Sequence, residues 1–267
     1  MSVDLACALC GALAGVLAGM LGIGGGLVIL PCLVALAPAL GIDPQLLPQT
    51  VVATSLAAMV PTTLAAAWSQ KCRGTVDVNW MRRFVPGVTV GITSTALIVG
   101  NLKSPWVLAA FSLYAFCCGA HMLLRPAWAA GVGRPSTATA HTSRGPRSVH
   151  VAATALGAAS AAAGLGGAFI SVPYLLRQGM PLRQVLATSS AISALVCIEG
   201  CIAYTVLTPR GAYGVPVAWQ AAAIIGAIAA MTAPLGVAFS RRIPVLGLRR
   251  LFGVVAIIAA LSALRTV

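Results

Sequence analysis

Two glycine clusters are the residues best placed to do chemistry in this chain: Gly22, Gly24, Gly25 and Gly26 in one stretch, and Gly164, Gly166 and Gly167 in another. Glycine reaches positive φ at no steric cost, so successive backbone N–H groups can converge into a concave nest that holds an anion. A helix starting directly after such a turn adds the partial positive charge of its N-terminus. Thr54 and Ser55 follow the first cluster, and Thr188 and Ser189 the second, each pair at the start of the next apolar segment. Their hydroxyls could donate to the same anion, or serve as helix caps or interhelical hydrogen bonds. Close helix packing is the plainer role for the glycines themselves.

Glu199 is the one acidic residue inside an apolar span. A carboxyl there is costly and suits either proton coupling or a neutral, hydrogen-bonded state. Eleven positions separate it from Thr188, which puts both within about 20° on one helix face. Eight cysteines include one Cys7-Ala-Leu-Cys10 pair with no partner motif, so we expect packing thiols, no disulfide framework and no metal site. The three histidines lack metal-ligand spacing, and no HExxH, Ser/His or paired-carboxylate constellation marks a catalytic residue. The glycine runs also lack the βαβ setting of a nucleotide cradle, and no cofactor is implied.

The elements that must position these residues are membrane helices. The chain is 59% hydrophobic and 8% charged, too little charge to cover a water-facing surface. Eight apolar segments, near 5–40, 50–69, 80–100, 105–124, 151–176, 186–207, 215–238 and 246–264, mostly have the roughly 20-residue length of a crossing. Backbone hydrogen bonding in lipid makes them helices, so the expected fold is all-α and polytopic. No Lys or Arg precedes the first apolar run, which argues against a cleaved signal. The net charge of +13 sits in the loops between segments, where it orients the protein; lipid, not nucleic acid, is the implied partner.

The chain repeats itself. Gly22-Ile-Gly-Gly-Gly-Leu-Val-Ile-Leu-Pro31 matches Gly164-Leu-Gly-Gly-Ala-Phe-Ile-Ser-Val-Pro173, and the same offset relates Gly15 to Gly157. Ala53-Thr-Ser55 matches Ala187-Thr-Ser189, and Gly74-Thr-Val-Asp-Val-Asn-Trp80 parallels the stretch from Gly211 to Trp219. The organisation is a first repeat over 1–124, a flexible basic linker over 125–149 and a second repeat over 150–267.

If every segment crosses once, the Lys and Arg residues divide ten against seven. If segments one and five are hairpins, fourteen fall on one side and only Lys103, Arg210 and Arg265 on the other, the asymmetry that the positive-inside rule expects. Residues 5–40 as one helix would span ~54 Å against a core of ~30 Å, and the glycines supply the break. A hairpin plus three crossings per repeat makes the copies inverted. Pro31 and Pro173 then mark either a helix start or a kink.

These paired motifs, with Gly19-Met-Leu-Gly22 leading into the first of them, resemble the TauE/SafE sulfite-exporter family over nearly the whole chain except the linker. The resemblance implies a bacterial-type inner-membrane permease for sulfite or an organosulfonate. Ala168 replaces Gly26 in the second copy, so the two nests need not be equivalent. Broken helices facing each other across inverted repeats fit alternating-access transport of a small anionic substrate. A channel, a non-catalytic subunit of a larger complex and an intramembrane enzyme are the alternatives, and the oligomeric state is open.

Overall fold

Uninterrupted apolar stretches close their hydrogen bonds within themselves, and the breaks fall where glycine relieves the backbone. The structure, a computed structural model, describes residues 2–21, 25–42, 47–72, 76–101, 146–207 and 217–239, with isolated positions at 113, 116, 120, 254 and 257. These hold eight helices and no strand. They are α1 (Val3–Leu21), α2 (Gly26–Leu36), α3 (Leu47–Lys71), α4 (Val78–Asn101), α5 (Pro146–Ala163), α6 (Ala168–Arg177), α7 (Leu182–Leu207) and α8 (Trp219–Phe239). The segments expected at 105–124 and 246–264, and most of the linker, lie outside the described residues. Helix α5 begins at Pro146, inside the range expected for the linker.

Four helices, α1, α3, α7 and α8, are long and apolar enough to cross a membrane. Their outward faces are those of a protein solvated by lipid. Leu5, Leu9 and Leu13 form an exposed stripe on α1, and Met231, Leu235 and Phe239 are exposed on α8. The interior holds the polar groups instead: Thr54, Ser55, Thr188, Ser189 and Ser193 are all buried. Helix α4 carries Arg82 and Arg83 near its start and hydroxyls further along. Thr93 and Ser94 each donate back to a carbonyl of the preceding turn, at 2.7 and 3.1 Å, so these side chains satisfy themselves on their own helix.

Each half opens with a hairpin. In the first, Gly25 turns with φ +80° and a Cβ there would meet the Ala14 carbonyl oxygen at 2.8 Å. Further out, the Cys10 thiol points at the Val28 carbonyl, so α2 folds back along α1. In the second, Gly164 turns with φ +60°. There Gly167 abuts Leu156 and the Ser148 and Tyr174 hydroxyls meet at 3.5 Å, so α6 folds back along α5. The returning helices have 11 and 10 residues, about 15–17 Å, half a membrane thickness. Pro31 and Pro173 sit inside them, five positions past the first helical residue. Neither is a helix start: each removes an N–H from the helix interior and leaves the carbonyl four residues back without its donor.

The fourth helix of each half docks on the opposite half. Helix α8 packs along α1 and α3, and α4 packs along α5 and α7. Small residues make both docks. Gly11 abuts Ile225 and Gly19 abuts Ala233; in the other dock Gly87 abuts Ala153 and Gly157 abuts Val88. Lipid gives apolar side chains no reason to prefer a neighbouring helix, so close backbone approach at small residues supplies the attraction. In both docks the contacts advance together along the two helices, so α1 runs parallel to α8 and α4 parallel to α5. Helices α3 and α7 cross at the centre, with Thr63 against Cys197 and Leu56 against Gly200. These are the most enclosed spans, 72% and 61% buried against 44% for α1 and 39% for α8.

Candidate functional site

The turns of the two hairpins meet. A Cβ on Gly26, the first residue of α2, would lie 2.9 Å from the Gly164 carbonyl oxygen and 3.1 Å from the Leu165 side chain. Gly164 in turn abuts Leu30 and Val52 of the first half. The contact leaves no room for a side chain at Gly26, and positive φ demands glycine at Gly25 and Gly164. Gly166 and Gly167 are buried beside them. Gly22 and Gly24 lie outside the described residues. Both returning helices therefore start at the centre of the molecule, with N-terminal N–H groups that have no acceptor within their own helix.

Helix α3 supplies a hydroxyl that reaches the second turn: Ser55 Oγ donates to the Gly164 carbonyl at 3.0 Å. Its counterpart Ser189 instead meets Ser171 Oγ of α6 at 2.9 Å. The threonines beside them face elsewhere. Thr54 Oγ1 accepts from the Ala218 N–H at 2.9 Å, directly before α8. Thr188 Oγ1 accepts from the Asp77 N–H at 3.1 Å, directly before α4. Both threonines lie well inside their helices rather than at the start, so neither caps its own helix. They anchor the fourth helix of the opposite half and hold an N–H that a helix entry leaves without an intrahelical acceptor. Of the four sequence-picked hydroxyls, then, the serines belong to the hairpin turns and the threonines to the docks.

Asp77 completes the α4 anchor by accepting from the Asn79 and Trp80 N–H groups at 3.0 and 3.3 Å. Beside it Trp80 packs edge-on to Tyr174, with the Arg83 guanidinium 5.3 Å from its ring centre. Glu199 does share the Thr188 face of α7, and that face looks at α4. Both of its carboxyl oxygens lie 3.0 Å from Thr89 Oγ1, whose single proton can be donated to one of them. The structure therefore does not bring Glu199 to the glycine turns.

Two further residues, which the sequence motifs do not single out, are Ser171, which pairs with Ser189, and Ser193, one turn further along α7. The signal was present in the repeat. Ser171, Ser190 and Ser193 stand where the first copy has Ile29, Leu56 and Met59. Among the described residues no group of three or more His, Cys, Asp or Glu could hold a metal ion, and the described cysteines are free thiols.

The sequence profile described as sulfite exporter TauE/SafE matches residues 7–263. The chain belongs to this family. It is also 30% identical over 264 residues, 97% of each chain, to a "Probable membrane transporter protein" of Haemophilus influenzae. No solved structure matches it. Family membership, the transporter relative and the lipid-facing helices together make this TauE/SafE protein a multi-pass membrane transporter of the inner-membrane type. The glycine turns are irregular backbone buried inside the helix bundle.

Proposed function

We propose that the protein is a secondary transporter of a small sulfur-containing anion, sulfite or an organosulfonate, working by alternating access and carrying out no catalysis. The observation that carries this reading is the meeting of the two hairpin turns, Gly26 against Gly164. Two short helices begin there, and their N-termini direct partial positive charge at one place. The substrate-binding set is Gly22, Gly24, Gly25 and Gly26 with Ser55 on one side, and Gly164, Gly166 and Gly167 with Ser189 on the other. Thr54 and Thr188 serve it indirectly, by tying each half's core helix to the other half's fourth helix.

The two halves are inverted copies. In support, α1, α3 and α8 share contacts that advance together, as do α4, α5 and α7, whereas α3 and α7 cross in opposite directions. Rocking one copy against the other would open the central turns to either side in succession. Glu199, away from the turns, would couple protons only through movement of α7 against α4.

Flux into liposomes containing the purified protein tests this reading. Sulfite, thiosulfate or sulfoacetate should enter saturably and respond to an imposed ion gradient, while acetate should not. Equal, non-saturable entry of all four would point to a channel and remove the carrier.

A further inference from the structure

The repeat correspondence isolates one buried hydroxyl that the structure leaves unused. Ser193 is 0% exposed, and its Oγ has no hydrogen-bond partner among the described residues. A buried hydroxyl without a partner loses its hydration and regains nothing, so it is expected to be rare and to have a reason.

Its location follows from two lines of contact. Along α7, Ser189 touches Ser171 of α6, and the Val196 side chain lies 3.2 Å from where a Cβ on Gly167 would be. Helix α7 therefore passes α6 in the opposite direction, and Ser193, between Ser189 and Val196 and one turn from Ser189, lies beside the first turn of α6. The first half gives the same answer. The counterpart of Ser193 is Met59, whose sulfur covers Gly26, the first residue of α2. The residue matching Gly26 is Ala168, the first residue of α6. In one half a thioether caps the helix entry; in the other a side chain two heavy atoms shorter offers a proton donor.

We infer that the transported oxyanion is bound asymmetrically, at the N-terminus of α6, and that Ser193 Oγ donates a hydrogen bond to it directly. The inference rests on the anion-carrier reading above. The first turn of α6, in which the Ala168 N–H is already held by the Gly166 carbonyl at 2.8 Å, supplies the positive end of a helix, and Ser193 supplies a movable O–H, both suited to an anion's oxygen. The Ser171–Ser189 pair fixes the separation of α6 and α7 around it. Met59, an apolar side chain with only a weak acceptor, cannot donate, so the first-half turn offers the anion no side-chain donor at the position that matches Ser193.

The test is equilibrium binding to the full-length protein in detergent, with sulfite, thiosulfate and sulfoacetate as probes and acetate as control, and a melting curve on each sample. Ser193→Ala should weaken binding of whichever probe the wild type binds by about tenfold or more, the loss expected for one hydrogen bond to a charged group. Its melting temperature should hold or rise, because the hydroxyl it removes has no internal partner. Ser193→Thr keeps the donor and should bind within about threefold of the wild type. Undiminished binding by Ser193→Ala overturns the assignment of Ser193 and leaves the carrier reading standing. A marked fall in its melting temperature also overturns it, since the hydroxyl would then be structural. If the wild type binds none of the three probes, the anion reading fails and this inference fails with it.

Discussion

The two glycine turns have the same backbone plan and different linings. At the first, Met59 covers Gly26 and Ser55 reaches across to the Gly164 carbonyl, and Ile29 and Leu56 on the same two helices are buried and apolar. Around the second, Ser171, Ser190 and Ser193 occupy the matching positions, and Ser189 bonds within its own half. The docks show no such divergence: Thr54 and Thr188 accept from equivalent helix entries, and Gly15 and Gly157 both serve close packing. The two copies thus agree where helices must pack and diverge around the proposed anion site. Packing constraints are mutual between the copies, so neither can change alone. A hydrogen-bond donor is needed only once per substrate oxygen, so one copy can lose it.

Breaking the shared part should have the largest effect. Leucine at Gly157, where a Cβ already comes within 2.5 Å of the Val88 carbonyl, and leucine at Gly15 should each cost at least about 1–3 kcal/mol and separate the docked helices. Loss of a monodisperse peak in gel filtration, for both variants alike, is the expected reading. A large effect from one and none from the other would show that the docks are not equivalent.

The turns come next, and here the copies should part. Gly26→Ala pushes a methyl against the Gly164 carbonyl, whereas the second copy already carries Ala168. Transport by Gly26→Ala should fall by roughly tenfold or more, a barrier change near 1.4 kcal/mol. Ala168→Gly should stay within about twofold, below about 0.5 kcal/mol. Equal losses in a flux assay would contradict the asymmetry of the two turns.

Thr54→Val and Thr188→Val should each destabilise by about 1 kcal/mol, because each strands a backbone N–H at a helix entry. Matched shifts in melting temperature would support two equivalent anchors. The smallest change is expected from Glu199→Gln, which keeps an acceptor for Thr89 and should alter stability by under about 0.5 kcal/mol. An unchanged pH profile of transport in that variant would remove Glu199 from proton coupling.

Most of the helix inventory was legible in the sequence. The expected 50–69, 186–207 and 215–238 correspond to α3, α7 and α8, and the breaks in segments one and five fall at the glycines that predicted them. Segment ends were harder to place: α3 and α7 begin several residues earlier than expected, which moved Thr54 and Thr188 from helix starts to helix interiors. Polar residues such as Gln49 and Gln184 opened these helices without adding to the apolar signal. Ser193 was legible only by reading the repeat for its differences, since a lone serine in an apolar run carries no mark of its surroundings.

Membrane residence, helical class, duplication and the positions of the turns were determined by the sequence alone. Each depends on local quantities: the length of an apolar run, or a backbone angle open to glycine and closed to other residues. Tertiary structure alone decided which helix docks on which, and so that α4 and α8 cross to the opposite half, that the threonines anchor those helices and that Glu199 faces Thr89 instead of the turns. The physical reason is that small residues suit many helix partners equally in lipid. A polar side chain inside the bundle takes its role from whichever donor or acceptor the chosen packing brings within reach.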